Sequence, residues 1–214
     1  MKRILCYGDS NTWGFTPGSG VRYPSDVRWT GVMAKELGKD YEVIEAGLNG
    51  RTTVYPDPFN DMLNGLEFLP MVLVQSKPLD LIILSLGTND LKFVSALHSA
   101  RGVGKLIETC KKANDAIPGS TPIFNEGAKI LVVSPIEVDP QVYEVNPYTS
   151  ILRGAVEESK QFPEMVKHFT DAHGVEYFNA ASVAVPSKVD GIHMEPESHA
   201  ALGKALAEKV KKII

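Results

Sequence analysis

Five short apolar runs alternate along this chain with longer stretches in which apolar positions recur every three or four residues. The runs are Arg3 to Tyr7, Tyr41 to Ala46, Leu79 to Leu86, Lys129 to Ser134 and Val175 to Phe178. Such runs predict strands buried on both faces, and their alternation with amphipathic stretches predicts an α/β fold, a parallel sheet covered by helices on both sides. Trp29 to Leu37 predicts a helix closed by Gly38, since glycine accepts the left-handed conformation that ends many helices. Asn60 to Ser76 predicts a second, with a break or bend at Pro70. Val103, Leu106, Ile107, Cys110 and Ala113 mark a third over Val103 to Ala116, closed by Pro118-Gly119. A fourth covers Ser159 to His173 and places Pro163 in the first turn, where amide hydrogens lack intrahelical partners. The last, Glu197 to Ile214, repeats Ala201, Leu202, Ala205, Leu206, Val210 and Ile213 and ends in lysines that suit the helix dipole.

Two irregular stretches interrupt this order, Phe15 to Asp26 and Ile117 to Gly127. Long loops in compact domains usually have a use, so these are expected to rim the active site or to make subunit contacts. At 214 residues and 43% hydrophobic composition, the chain suffices for one well-filled core and is short for two, which predicts a single domain over residues 1–214. A net charge of −4 with scattered lysines and arginines leaves no basic footprint for nucleic acid and favours small-molecule substrates. The apolar run after Met1-Lys2-Arg3 ends at Gly8, too short for a secretory core or a membrane span, so a cytoplasmic protein is expected. Cys6 and Cys110 lie in a predicted strand and a predicted helix and fit buried free thiols better than a disulfide.

Chemistry gathers in four blocks: Gly8-Asp9-Ser10-Asn11, Gly47-Leu48-Asn49-Gly50, Gly87-Thr88-Asn89-Asp90 and Asp190-Gly191-Ile192-His193. The first three follow predicted strands, and in a parallel sheet the carboxyl ends of strands are where ligands bind. Ser10 is either a nucleophile or a mere turn and helix cap. A serine hydroxyl is a poor nucleophile near neutral pH and needs a base within about 3 Å. His193, in the loop between the last strand and the last helix, is the candidate. His168, His173 and His199 fall in predicted helices and His98 in an unassigned segment, where a surface role is the plainer reading. Asp190, three residues before His193, can fix the imidazole tautomer and stabilise the imidazolium. The Ser10 N–H, the Gly50 N–H and the Asn89 amide are three donors available to a developing oxyanion; an ordinary turn is the alternative for the Asn89 block. Asp9 is expected to tie down its loop. Trp13 and Phe15 either line an apolar pocket or pack under the entry loop, and Arg51 is expected in a structural ion pair with an Asp or Glu rather than on substrate.

These blocks resemble those of the SGNH hydrolases, also called GDSL esterases and lipases, whose name matches Ser10, Gly50, Asn89 and His193. The resemblance runs from Ile4 to the last helix and is nearest to the bacterial arylesterase and acyltransferase branch, on Arg28-Trp29-Thr30-Gly31, Gly50-Arg51-Thr52-Thr53, Leu63-Asn64-Gly65, Phe68-Leu69-Pro70 and Val189-Asp190-Gly191-Ile192-His193. It implies a three-layer α/β/α sandwich with a flavodoxin-like five-stranded parallel sheet, a Ser10, Asp190 and His193 triad, and an oxyanion hole from Ser10, Gly50 and Asn89. It implies no metal and no cofactor, and it makes a homo-oligomer plausible. Asn11 stands where the family name has Leu and is expected to leave the chemistry untouched; the stretch from Phe93 to Gly127 departs from the acyltransferase branch.

No Gly-x-Ser-x-Gly elbow, dinucleotide loop or phosphate loop is present, and His193 and His199 lack the spacing of a zinc site. The expected function is a serine esterase acting on a small-molecule ester through an acyl-serine intermediate. Acyl transfer to an alcohol and O-deacetylation of sugars use the same groups, and a non-catalytic ligand-binding protein is the remaining alternative.

Overall fold

The alternating runs assemble as β1 (Lys2–Gly8), α1 (Ser10–Trp13), α2 (Trp29–Leu37), β2 (Tyr41–Gly47), α3 (Gly65–Ser76), β3 (Leu79–Ser85), α4 (Ala96–Lys111), β4 (Phe124–Ser134), α5 (Val142–Val145), α6 (Ala155–Ser159), α7 (Phe162–His173), β5 (Glu176–Asn179) and α8 (Pro196–Ile213). The computed structural model describes residues 1–115, 121–145 and 152–214. The strands form one sheet in the order β2-β1-β3-β4-β5, every pair parallel. Successive strand residues point to opposite faces, and here both faces are dry. Ile4, Cys6, Leu81, Ile83, Leu131 and Val133 pack with Trp29 and Met33 of α2 and Leu202, Leu206 and Val210 of α8. Leu5, Tyr7, Ile82, Leu84 and Val132 pack with Leu69 and Leu73 of α3, Val103 and Ile107 of α4, and Phe162 and Val166 of α7. The result is a three-layer α/β/α sandwich with the flavodoxin-like strand order.

Several boundaries differ from the sequence expectation for identifiable reasons. The helix expected over Asn60 to Ser76 breaks at Asn64, not at Pro70: a 3-10 turn spans Asp61–Leu63, and the Asn64 side chain then accepts from the Leu66 N–H to cap α3. Pro70 sits inside α3 at an exposed position. Helix α4 starts well before Val103, because the Glu158 carboxylate, from α6, accepts the Ala96 N–H at 2.7 Å and caps it from another element. Its expected terminator, Pro118-Gly119, lies outside the described residues. Strand β4 begins at Phe124, within the stretch expected to be loop, and Phe124 pairs with Leu79 across a bulge. Pro163 falls in the first turn of α7, as expected. Cys6 and Cys110 are buried free thiols.

This order matters for the site. Strand β1 lies between β2 and β3, so the chain leaves β1 for one side of the sheet and returns past it for the other. The segments after β1, β2 and β3 therefore emerge side by side at the carboxyl edge, at the point where the direction of winding reverses. Among the described residues no helix is long and apolar enough to cross a membrane.

Candidate active site at the carboxyl edge

Gly8 makes the turn out of β1 possible. A Cβ there would lie 2.0 Å from Thr12 Oγ1 and 2.8 Å from the Ser85 carbonyl oxygen, so no other residue fits. Asp9 then caps α1 by accepting the Asn11 N–H at 3.0 Å, as expected of a residue that ties down its loop. The Asp9 carboxyl is buried, and burial outweighs the neighbouring donors to push it up to about 6. Ser10 is the first residue of α1, where the N–H has no intrahelical partner.

His193, 183 residues away in sequence, places Nε2 at 2.9 Å from Ser10 Oγ. Its Nδ1 lies 2.8 Å from Asp190 Oδ2, while Asp190 Oδ1 accepts the backbone N–H groups of Ile192 at 3.0 Å and His193 at 2.9 Å. One carboxylate thus holds both the ring and the backbone of the histidine. Burial alone would raise Asp190, but the His193 contacts and these backbone donors prevail and hold it below the usual carboxylate range. Phe15 stacks on the outer face of the imidazole, ring centroids 4.1 Å apart.

The segment after β2 is bound to the turn that carries Ser10 by the Leu48 N–H, which donates to the Gly8 carbonyl at 3.1 Å. Gly50 adopts a φ of 82°, a left-handed conformation that favours glycine. Asn89, in a 3-10 turn after β3, donates one amide hydrogen to the Arg51 carbonyl at 3.2 Å, which sets it beside Gly50 and leaves its second amide hydrogen. Among the described residues neither the Ser10 nor the Gly50 N–H donates to a protein acceptor. Asp90, completely buried behind Asn89, locks the two segments together: it accepts the Thr53 N–H, the Thr53 hydroxyl and the Ser99 hydroxyl, each at 3.0 Å. Burial exceeds the effect of those donors and raises Asp90 to about 7.

Two expectations change. Among the described residues Arg51 has no ion pair with an Asp or Glu: its guanidinium lies 4.1 Å from the centre of the Tyr7 ring and donates to the carbonyls of Gly8, at 2.8 Å, and Ala46. Burial pulls it below its ordinary pKa. His199 is not a surface residue. It is completely buried between α8 and α2, where its Nδ1 accepts the Trp29 N–H at 3.2 Å, and burial pulls it down to about 4. Asn11, set aside on sequence, bonds to residues on both sides of His193. Within Phe15 to Asp26, expected to rim the active site or to make subunit contacts, Phe15 reaches His193 and Gly18 sits close against Val189. Trp13, by contrast, packs under the Arg22 guanidinium, 5.4 Å from its ring centre. Among the described residues no three His, Cys, Asp or Glu side chains are grouped to hold a metal ion.

Residues 6–201 match the family described as GDSL-like lipase/acylhydrolase. The structure is similar to native aryl esterase from M. smegmatis, at 38% identity over 100% of both chains with a TM-score of 0.92. It is also similar to a carbohydrate acetylesterase from Sinorhizobium meliloti, at 36% identity over 100% of both chains and a TM-score of 0.92. No curated protein gives a significant match.

Proposed function

The chain belongs to the GDSL-like lipase/acylhydrolase family and is a carboxylic ester hydrolase with the SGNH hydrolase fold, and from this premise we propose that it works through an acyl-Ser10 intermediate. Ser10 Oγ attacks the ester carbonyl carbon while its proton passes to His193 Nε2. Asp190 keeps the proton on Nδ1 in the resting imidazole and stabilises the imidazolium that forms. The carbonyl oxygen becomes an oxyanion that takes the Ser10 N–H, the Gly50 N–H and the second amide hydrogen of Asn89. On collapse the C–O bond to the alcohol breaks and His193 returns the proton to the leaving oxygen. Water, deprotonated by His193, then attacks the acyl carbon and releases the acid and Ser10.

The observation that carries this reading is the unbroken line Ser10 Oγ, His193 Nε2, His193 Nδ1, Asp190 Oδ2, with links of 2.9 and 2.8 Å. A fluorophosphonate probe is expected to label Ser10 in the native protein and nothing in Ser10→Ala. A Ser10→Ala variant that cleaves short p-nitrophenyl esters at the parent rate refutes it.

The likeness to a carbohydrate acetylesterase favours a second reading of the substrate, an O-acetylated sugar. The chemistry is the same and only the alcohol differs. Acetylated sugars assayed beside a series of aryl esters of increasing acyl length separate the two: a kcat/KM at least tenfold higher for the sugar supports deacetylation, and the reverse ratio supports aryl ester hydrolysis.

A further inference from the structure

We propose that Asn11 is a positioning residue for His193, a clamp that ties the base to the helical turn carrying the nucleophile; the inference rests on the acyl-Ser10 reading. Asn11 follows Ser10 in α1. Its Nδ2 donates to the Ile192 carbonyl at 3.3 Å, and its Oδ1 accepts the Met194 N–H at 3.1 Å. These partners are the residues immediately before and after His193, so one planar amide straddles the histidine as a neighbouring strand would, with one donor and one acceptor.

Other bonds show why the clamp is needed. The His193 carbonyl accepts the Ser187 N–H at 2.7 Å, and the Gly191 carbonyl accepts the Asp139 N–H at 2.8 Å. With the Asp190 contacts, these fix the shape of the loop and anchor it to the segment after β4. None of them refers the loop to Ser10. The Ser10–His193 distance is a relation between two elements 183 residues apart, and its one direct bond is the one that breaks and re-forms during turnover. Asn11 supplies a connection between the same elements that does not take part in proton transfer. Since Ser10 and Asn11 are consecutive in a turn capped by Asp9, a shift of the loop carries a cost at two hydrogen bonds before the imidazole leaves its serine.

Leu, the residue in the family name, makes neither bond, so Asn11→Leu is the informative variant. Asp is nearly isosteric and keeps only the acceptor toward Met194, so Asn11→Asp serves as a second variant with little change in packing. Active sites are titrated with a fluorophosphonate, and kcat and KM for p-nitrophenyl acetate are measured per labelled site. Misplacing a reacting group by about 1 Å costs on the order of 100-fold. Asn11→Leu is expected to lose roughly 10- to 100-fold in kcat and in labelling rate with KM changed less than about threefold, and Asn11→Asp to lose less. A role in folding alone would lower the number of sites that label and leave the rate at each site unchanged. If Ser10→Ala is inactive while both Asn11 variants label and turn over at the parent rate, the clamp is overturned and the acyl-serine reading stands. If Ser10→Ala keeps the parent rate, both fall.

Discussion

Phe15 lies nearly parallel to His193, the two rings tilted by 25° with centroids 4.1 Å apart. The contact is local in origin: the Phe15 N–H donates to the Ser10 carbonyl at 3.0 Å, so the turn that presents Ser10 also delivers an aromatic face to His193. An aromatic face attracts a cation, so if His193 takes the Ser10 proton as proposed, the contact should strengthen in the transition state. At about 0.5 to 2 kcal/mol for such a contact, Phe15→Leu should lower kcat roughly 2- to 30-fold with little change in KM. Equal kcat in Phe15→Leu and parent would assign the ring to packing.

Asn89 is expected to matter through one hydrogen. Asn89→Ala should lower kcat roughly 100- to 1000-fold, the usual loss of an oxyanion donor, while KM for a short ester stays close to the parent value. The lost bond to the Arg51 carbonyl costs about 1 kcal/mol of stability, so thermal melting separates the two effects. A loss below about threefold in kcat would place the oxyanion elsewhere.

Asp190→Asn keeps the shape of the side chain and removes its charge. Without the carboxylate the imidazole loses both its orienting partner and the counter-charge to the imidazolium, and kcat should fall on the order of 10³- to 10⁴-fold. The check is single-turnover acylation with a p-nitrophenyl ester, which reads the attack step directly. Retention of a tenth or more of the parent rate would show that another group orients His193.

Asp90 and His199 titrate across the same pH window with opposite sign. Burial raises Asp90 from 3.8 to about 7, so its contribution to stability is complete below its unfolded value and is lost as pH rises through 7. Burial lowers His199 from 6.5 to about 4, so its contribution is complete above 6.5 and is lost as pH falls through 4. In urea unfolding between about pH 4 and about pH 7.5, the stability of Asp90→Asn relative to the parent should rise with pH, and that of His199→Gln should fall. Each slope reaches at most about 1.4 kcal/mol per pH unit. Differences that stay constant with pH would show that neither group is perturbed in the folded state.

How far the sequence spoke depended on how local each determinant was. Trp29 to Leu37 is observed with the expected bounds, because its apolar spacing and the Gly38 that follows lie within the helix and its end. The four chemical blocks were legible because three follow apolar strands and the fourth precedes a strongly periodic helix, so their meeting at one edge followed from parallel topology. What escaped depended on partners distant in the chain. The start of α4 is set by Glu158, 62 residues from Ala96. His199 is a polar residue on a helix whose buried face meets the Trp29 N–H, 170 residues away. Arg51 pairs with an aromatic ring and two carbonyls, acceptors that charge patterning does not reveal. The two hydrogen bonds of Asn11 were hidden because both its partners lie at the far end of the sequence.

The 183-residue separation between Ser10 and His193 also sets the order in which the molecule becomes competent. In the proposed mechanism a growing polypeptide presents Ser10 first and Gly50 and Asn89 next, and it lacks the proposed base until the loop that carries His193 has been synthesised and docked. On the proposed mechanism, fragments that stop before His193 are expected to lack esterase activity however well their sheet forms, and ester turnover would gauge whether Ser10 and His193 have met.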